Sequence, residues 1–470
     1  MDGLDINRAT ITSVSRLLKN QDISPVELID STFERIGQLD PLLKAFITTS
    51  YDHAITKAKK AENEIRRGQY RGPLHGIPFT LKDVIATKGI RTTYGHPRLH
   101  DFKPKQDATV RTLLEEAGAI LVGKVYSQIG RGNGLIDCYN PWDITRSPGT
   151  SSSGSGSSVS ASLGLLSLGT DTGGSVRHPA SNCNLVGLRA TFGRISRHGV
   201  LAPSWSFDQA GPLTKTVEDN MLASQVLARF DPKDPVSVNQ PNEDYFANCK
   251  RSIKGIRIGV PVDRWLWEKE SEEAEQLVRQ AITILDKLGA DIHEINIPLA
   301  SETRKTHFAI SLPESFTYWS EQFSTKILND WAEIHPSLTQ GKSQEFAKYM
   351  DGIQTAAKIN QEIYSNFRRV DLIAMPTGST INDSCDASTV ILRGKSIPAR
   401  SRAVYINGIA SLAGLPAISV PCGFAVNNRL PLGMQLMGLP LTESLIYRVA
   451  LAYENATDWH LQHPPISAPK

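Results

Sequence analysis

Apolar residues recur at helical spacing near the start of the chain and in short runs after it. Ser24-Pro25-Val26-Glu27 combines a capping box with proline at the first helical position. Val26, Leu28, Ile29, Phe33 and Ile36 follow at roughly helical intervals. A second helix is predicted over about 51–67, with Ala54, Ala58, Ala61 and Ile65 as its inner face. Its charge run, Lys57 to Arg67, mixes signs and reads as a solvated face. From Gly76 the texture changes. Gly76-Ile-Pro-Phe-Thr-Leu-Lys82-Asp83 is an apolar, strand-like run carrying one lysine. Residues 107–117 read as a helix and 119–123 as a buried strand, and helix then strand recurs at 272–288 and 291–297. More strands are predicted at 371–375, 417–421 and 432–437. Strands alternating with helices point to an α/β protein with a central sheet. Residues 231–250, rich in Pro, Asp and Asn, read as a surface loop. Residues 300–365 are helix-prone, aromatic and charged, as a helical insertion over the sheet would be.

Composition narrows the class. The chain has 470 residues, 40% hydrophobic and 21% charged, which excludes general disorder, a collagenous rod and a coiled coil. Length alone suggests about three domains, although a large α/β enzyme can be one. A net charge of +3 gives no global electrostatic case for nucleic acid or an anionic membrane. No apolar run approaches the roughly 18–20 residues of a membrane span. The start, MDGLDINRAT, lacks a basic segment followed by an apolar one, so no secretory signal is expected and a cytoplasmic location is. The five cysteines, Cys138, Cys183, Cys249, Cys385 and Cys422, are scattered without a C-x-x-C pair. That pattern fits a reducing compartment better than a disulfide framework or a zinc site.

The chemistry concentrates in residues 147–175, SPGTSSSGSGSSVSASLGLLSLGTDTGGS. A flexible linker would not need Val159, Leu163, Leu165, Leu166 and Leu168. A phosphate-cradling loop would carry G-x-x-x-x-G-K-[ST] or G-x-G-x-x-G, and neither occurs. A serine nucleophile remains. Backbone N–H groups beside it can stabilise the charge that grows on an attacked carbonyl oxygen, and Gly173 and Gly174 let the backbone approach a substrate closely. Such a serine needs a base. The G-x-S-x-G elbow is absent, and the S-x-x-K at 467–470 is terminal. Neither motif identifies the base. His178, His198 and His75 lie near these motifs, but no spacing orients an imidazole with an aspartate. No H-E-x-x-H or clustered ligand set points to a metal.

The run from Ser147 through Ser175-Val-Arg177-His-Pro-Ala-Ser181 closely resembles the signature of the amidase signature family. Gly76 to Asp83 resembles that family's lysine strand. Asn140-Pro-Trp-Asp143, Phe192-Gly-Arg-Ile-Ser196, Gly211-Pro212, Leu415-Pro-Ala-Ile-Ser-Val-Pro421 and Tyr453 to Trp459 also match. The likeness runs from about residue 20 to 460. It implies one domain over 1–470, with N-terminal helices over about 1–70. The implied fold is a large central mixed β-sheet covered by helices on both faces.

The resemblance implies a Ser–Ser–Lys triad, with Ser175 as nucleophile, Ser151 as the bridging serine after a cis peptide, and Lys82 as base. The oxyanion hole falls on the N–H groups of Thr172, Gly173, Gly174 and Ser175. Ser152, Asp171 and Arg177 take supporting places, bracing the loop. Thr150 stands where many members have a second glycine. A lysine serves as base only when deprotonated, and burial in an apolar run lowers its pKa. Asp83, next in the strand, points to the opposite face and need not hold Lys82 charged. No metal or organic cofactor is implied.

Substrate is the least legible property. The family spans aliphatic and aryl amides, peptide amides and carbamates, and includes the glutamine-hydrolysing subunit of tRNA-dependent amidotransferases. That subunit has an acidic residue about a dozen positions before the Leu-Pro-Ala-Ile-Ser-Val-Pro run, to hold an ammonium group. Here 403–410 contain no Asp or Glu, and an ammonium without a counter-charge binds poorly. Tyr405 and Asn407 suggest a less charged pocket. Its other walls are expected from Ile129, Gly130, Cys138, Tyr139, Trp205, Phe207 and the 300–365 insertion. The expected partner is a small-molecule amide or carbamate, with no nucleic acid and no membrane, on a monomer or homodimer. The alternative is the glutamine-hydrolysing amidotransferase component.

Overall fold

The computed structural model describes residues 5–127, 138–241, 243–334, 336–378, 389–398, 404–426 and 429–467. Three helices, α1 (Ile11–Asn20), α2 (Pro25–Leu43) and α3 (Tyr51–Arg66), begin the chain, with β1 (Phe46–Thr49) between the last two. Then come β2 (Pro78–Lys82), α4 (Thr109–Glu116) and β3 (Ile120–Val125). The serine-rich stretch forms α5 (Ser153–Ser160) and β4 (Leu166–Asp171), followed by α6 (Arg177–Asn182), β5 (Val186–Arg189), β6 (Gln209–Thr214) and α7 (Val217–Leu227). Next are β7 (Arg257–Pro261), α8 (Arg264–Trp267), α9 (Glu272–Lys287) and β8 (Asp291–Ile295). A helical block follows, comprising α10 (Thr303–Gln322), α11 (Thr325–Ile334), α12 (Pro336–Ser343) and α13 (Phe346–Asn366). The chain ends through β9 (Leu372–Pro376), the hairpin β10 (Thr389–Leu392) and β11 (Lys395–Pro398), α14 (Val404–Leu412), β12 (Ala417–Phe424), β13 (Pro431–Gly438) and α15 (Glu443–Asn455).

Local sequence explains the helix ends. Ser24 Oγ accepts from Glu27 N–H at 3.1 Å, and Glu27 Oε2 accepts from Ser24 N–H at 2.7 Å, the reciprocal capping box. α1 is capped locally by Thr10, whose Oγ1 accepts from Ser13 N–H at 3.0 Å, and also from far away, because the buried Asp219 carboxylate accepts from the N–H groups of Ile11 (2.8 Å) and Thr12 (2.9 Å). Helices α10 to α13 occupy 303–366, so the stretch at 300–365 is helical. Among the described residues, no helix is long and apolar enough to cross a membrane. Cys183, Cys249 and Cys422 are free and buried, Cys138 is buried, and Cys385 lies outside the described residues.

Eleven strands form one mixed sheet in the order β1-β3-β2-β4-β6-β5-β12-β13-β9-β7-β8. β2 runs parallel to both β3 and β4, with Phe79 opposite Leu166 and Leu81 opposite Leu168. The carboxyl ends of β2 and β4 therefore lie side by side. Crevices outside the carboxyl ends of strands are where open α/β sheets bind ligands.

All eight residues of α5 are buried, so Ser-Gly-Ser-Gly-Ser-Ser-Val-Ser is a packed helix and not a linker. Small residues are needed because the neighbouring backbones touch it. A Cβ at Gly154 would stand 2.4 Å from Tyr126 N and 2.7 Å from Ala45 O. Apart from Ser160, the hydroxyls find carbonyls: Ser153 donates to Gly149 O at 2.7 Å and Ser157 to Tyr139 O at 2.8 Å. Serine is thus the residue that is both small and satisfiable in a dry helix.

Two glycine substitutions separate packing from propensity. Gly154→Ala drives a methyl into fixed backbone and is expected to cost about 3 kcal/mol or more. Gly37→Ala, in the exposed interior of α2 with nothing within 4 Å of the new Cβ, is expected to stabilise by about 0.5–1 kcal/mol. Opposite shifts in the thermal unfolding midpoint check the pair.

Candidate active site

Lys82 is the last residue of β2 and is fully buried. Its Nζ is hydrogen-bonded to Ser151 Oγ and to Thr170 Oγ1, the latter at 2.8 Å. Burial pushes its pKa down from 10.5 to about 7, against the opposing pull of Asp208 and Asp171. At neutral pH the amine therefore spends a large fraction of its time with a free lone pair. Asp83 turns the other way, as strand alternation requires, and its Oδ1 lies 3.4 Å from the buried Lys124 Nζ. Lys124 also donates to Ile85 O and Thr92 Oγ1, at 2.6 and 2.9 Å.

The turn before α5 delivers Ser151. Gly149 has φ of 110°, and a Cβ there would stand 2.6 Å from Pro179 Cα. Asn140 donates to the carbonyls of Ser147 (3.2 Å) and Asn182 (2.9 Å), and Thr150 N–H donates to His178 Nδ1 at 3.1 Å. The expectation of a cis peptide before Ser151 is corrected. Among the described residues there is no cis peptide bond, and the chain reverses through positive φ at Gly149 and at Ser151 (68°). That left-handed conformation is uncommon outside glycine. Ser152 Oγ donates to Thr170 O and accepts from Thr170 N–H, both at 3.2 Å, which pins the turn to β4.

Beyond β4 the loop 172–175 is built around one carboxylate. Asp171 is fully buried and accepts from Gly174 N–H (2.9 Å), Val176 N–H (3.2 Å), Arg177 NH2 (3.0 Å) and Arg189 NH1 (3.1 Å). Its pKa falls well below the usual carboxylate range: burial opposes the fall, and Arg177 and Arg189 more than overcome it. Burial lowers the Arg189 guanidinium to about 10. Arg177 further donates to Gln435 Oε1 and Asn407 O, both at 2.9 Å, so α6 is stitched to β13 and α14. The bracing expected of Asp171 and Arg177 is present as geometry, with Arg189 as a third member.

Gly174 has φ of 118°, and a Cβ there would lie 2.5 Å from Asn407 Cβ. Because its N–H is committed to Asp171, Gly174 is not a free oxyanion donor, which corrects the expected set. The N–H groups of Gly173 and Ser175 have no hydrogen-bond partner among the described residues. Thr172 Oγ1 donates to the buried Asp208 carboxylate, which also accepts from Ser204 N–H at 2.7 Å. The Thr172 carbonyl lies 3.1 Å from His307 Nε2 of α10. A carbonyl only accepts, so Nε2 carries the proton. Burial lowers the His307 pKa to about 4, which keeps the ring neutral. Ser175 is half-buried and its hydroxyl is engaged with no residue among those described. His178, His75 and His198 are tied to Thr150, Glu64 and Thr109, and none bonds Ser175.

The expected pocket walls divide. Ile129 and Gly130 lie outside the described residues. Cys138 is fully buried in a cluster with Ile29 and Leu43, so it is core and not wall. Tyr139 carries Lys44 Nζ over its ring at 5.5 Å and braces α5 through its carbonyl. Trp205 is 55% exposed, beneath the Arg197 guanidinium. Phe207 does reach the loop, stacked on His307 with centroids 4.5 Å apart. Asn407 lies under Gly174, its Nδ2 donating to Thr377 O, and supports the loop from behind. The less charged surroundings expected at Tyr405 are also corrected. Lys269 Nζ stands 4.4 Å and the Arg304 guanidinium 5.3 Å from its ring centre. Sequence reading missed Thr170, Arg189, Asp208, His307 and Gln435. Only Arg189, a charge inside the apolar run Leu185 to Ala190, carried a local signal.

Comparison with known proteins shows the family and the fold. The amidase family profile matches residues 27–446. The A component of the glutamyl-tRNA(Gln) amidotransferase from Geobacillus thermodenitrificans is 36% identical over 489 residues, covering 97% of this chain and 98% of its own. The crystal structure of the same component from Thermotoga maritima has a TM-score of 0.82 at 28% identity, covering 100% of both chains. The peptide amidase of Stenotrophomonas maltophilia gives 0.83 at 27%, over 97% of this chain and 98% of its own. A chain from a vestigial protein complex, one that reveals the origins of an s-triazine catabolic enzyme, gives 0.87 at 26%, over 95% and 98%. The fold, the signature loop and the length of these matches agree: the chain belongs to the amidase family, the amidase signature enzymes that hydrolyse carbon–nitrogen bonds.

Proposed function

We propose that the chain hydrolyses a small-molecule amide through Ser175, Ser151 and Lys82 by way of an acyl-enzyme. The observation that carries this is the buried Lys82 amine, brought to about 7 and hydrogen-bonded to Ser151 at the strand end beside the Ser175 loop. Ser175 Oγ attacks the amide carbonyl. Its proton passes to Ser151 Oγ, which gives its own to the Lys82 lone pair. The unengaged N–H groups of Gly173 and Ser175 are the donors for the oxyanion. The relay then returns a proton to the departing amine, which leaves as a neutral molecule. Water enters and the same relay, run in reverse, releases the acid and restores Ser175.

Two classes of amide fit. The described part of α14 offers no carboxylate to balance an ammonium group, which supports a small amide without a cationic end. The 36% identity to the Geobacillus amidotransferase component over 97% of the chain supports a second reading, hydrolysis of glutamine's side-chain amide within a complex. Ammonia or amine release from aliphatic amides, anilides, carbamates and glutamine separates them, with sizing of the co-purified material. The expected result is turnover of small amides, reduced about 10³-fold or more by Ser175→Ala. Turnover of glutamine alone, by a chain that elutes with other proteins in a stable complex, moves the assignment to the amidotransferase component. Activity that survives Ser175→Ala sinks the mechanism.

Lys82 sets the pH dependence. A base works deprotonated, so log(kcat/KM) is expected to climb with unit slope below about pH 7 and level off above it. Lys82→Met is expected to remove both the activity and that limb of the profile. A wild-type profile flat from pH 5 to 9 would exclude Lys82 as the base.

A further inference from the structure

A cavity of about 450 Å³ opens beside Tyr405, walled by α8, the start of α9, α10, the β10–β11 hairpin and α14. Five basic side chains line it, against Glu268 and Glu272. Two of the five are answered. Arg264 Nε lies 3.2 Å from Glu268, and Arg393 lies 3.7 Å from Glu272 and 2.6 Å from Glu275. Lys269, Arg304 and Lys395 have no carboxylate in ion-pair range among the described residues. The Tyr405 ring takes Lys269 at 4.4 Å and Arg304 at 5.3 Å, and Arg304 also lies 5.0 Å over Phe308. A π-face positions a cation without neutralising it. Three like charges therefore line one cavity without an acid in ion-pair range among the described residues, although Glu268 and Glu272 stand in the same lining. Leu392, Ile397 and the Tyr405 ring supply an apolar floor. A short apolar body ending in a carboxylate matches this lining in charge and chemistry.

Two elements that line the cavity, α10 and α14, also pack on the catalytic loop. Tyr405 follows Val404, whose Cγ2 would lie 3.2 Å from a Cβ at Gly173. Asn407, two positions on, packs on Gly174. Arg304 lies about one helical turn before His307, the residue bonded to the Thr172 carbonyl.

We propose that this cavity binds the anionic end of the substrate, so that the preferred amides carry a carboxylate; this rests on the amide-hydrolase reading. Succinamate is the model compound: with water it gives succinate and ammonia, the C–N bond breaking and the hydroxyl of water passing to the acyl carbon. The wild-type kcat/KM for succinamate is expected to exceed that for butyramide by about tenfold or more, mainly through KM. Arg304→Gln and Lys269→Gln should each pull that ratio toward one, and Arg304→Lys should keep part of it. Binding is read separately by calorimetry, titrating succinate into the Ser175→Ala protein. There Arg304→Gln should weaken the Kd by about tenfold, and added salt should weaken it too. An unchanged ratio in a folded Arg304→Gln, or no succinate binding by Ser175→Ala, overturns the proposal. Turnover that persists in Ser175→Ala overturns the hydrolase reading instead, and leaves succinate binding to judge the cavity.

Discussion

The site depends on one buried carboxylate. Asp171 ends β4 with no access to water, a position that would be untenable unpaired. Two guanidinium groups and two backbone N–H groups surround it, three of them from residues 174–177 and the fourth from β5. Gly174 and Val176 bend the loop toward it. Arg177 opens α6, and Arg189 closes β5. Folding the loop and satisfying the charge are thus the same event. The arrangement also aims the other end of the loop, because the peptide groups not drawn to Asp171, at Gly173 and Ser175, are left unengaged.

Electrostatics around Lys82 is a balance and not a single effect. Burial drives the amine toward neutrality, while Asp208 and Asp171 pull toward the ammonium. Asp171 would pull harder were it not held by Arg177 and Arg189. Asp208 is itself pushed toward its neutral form by burial, which tempers its pull. The nearer carboxylate in sequence, Asp83, is diverted to Lys124 on the opposite face of the sheet. An amine in the neutral range thus emerges from burial set against carboxylates on a separate strand and a loop.

The fold was largely legible because its signals are local. Proline and a capping box announced α2, alternating helices and strands announced the sheet, and the apolar residues of the 147–175 run spoke against a flexible linker. Lys82 and the serines were reachable through a recognisable motif. Asp208, His307 and Gln435 were not, because they act across 36, 135 and 258 positions of chain, and no local period records such a meeting. The pocket walls failed for a related reason. Trp205 and Cys138 look alike in sequence as residues near a motif, yet one faces solvent and the other sits in a core cluster. Tyr405 was read by its own neutrality, whereas its surroundings, contributed by Lys269 beyond α8 and Arg304 of α10, are cationic.

The seam between β5 and β12 carries a consequence for biosynthesis. Ala417 to Ser419 pair with Gly187 to Arg189, so the middle of the sheet joins chain segments made far apart in time. Asn407 and Gln435, which hold Arg177 in place, also belong to the late segment. A nascent chain that has reached only the helical block has an unpaired edge at β5, a ready template for misassociation. It also has an Arg177 without two of its acceptors. The 172–175 loop is therefore fully braced only near the end of translation, and a prematurely terminated chain would retain the signature residues without part of the support that shapes them.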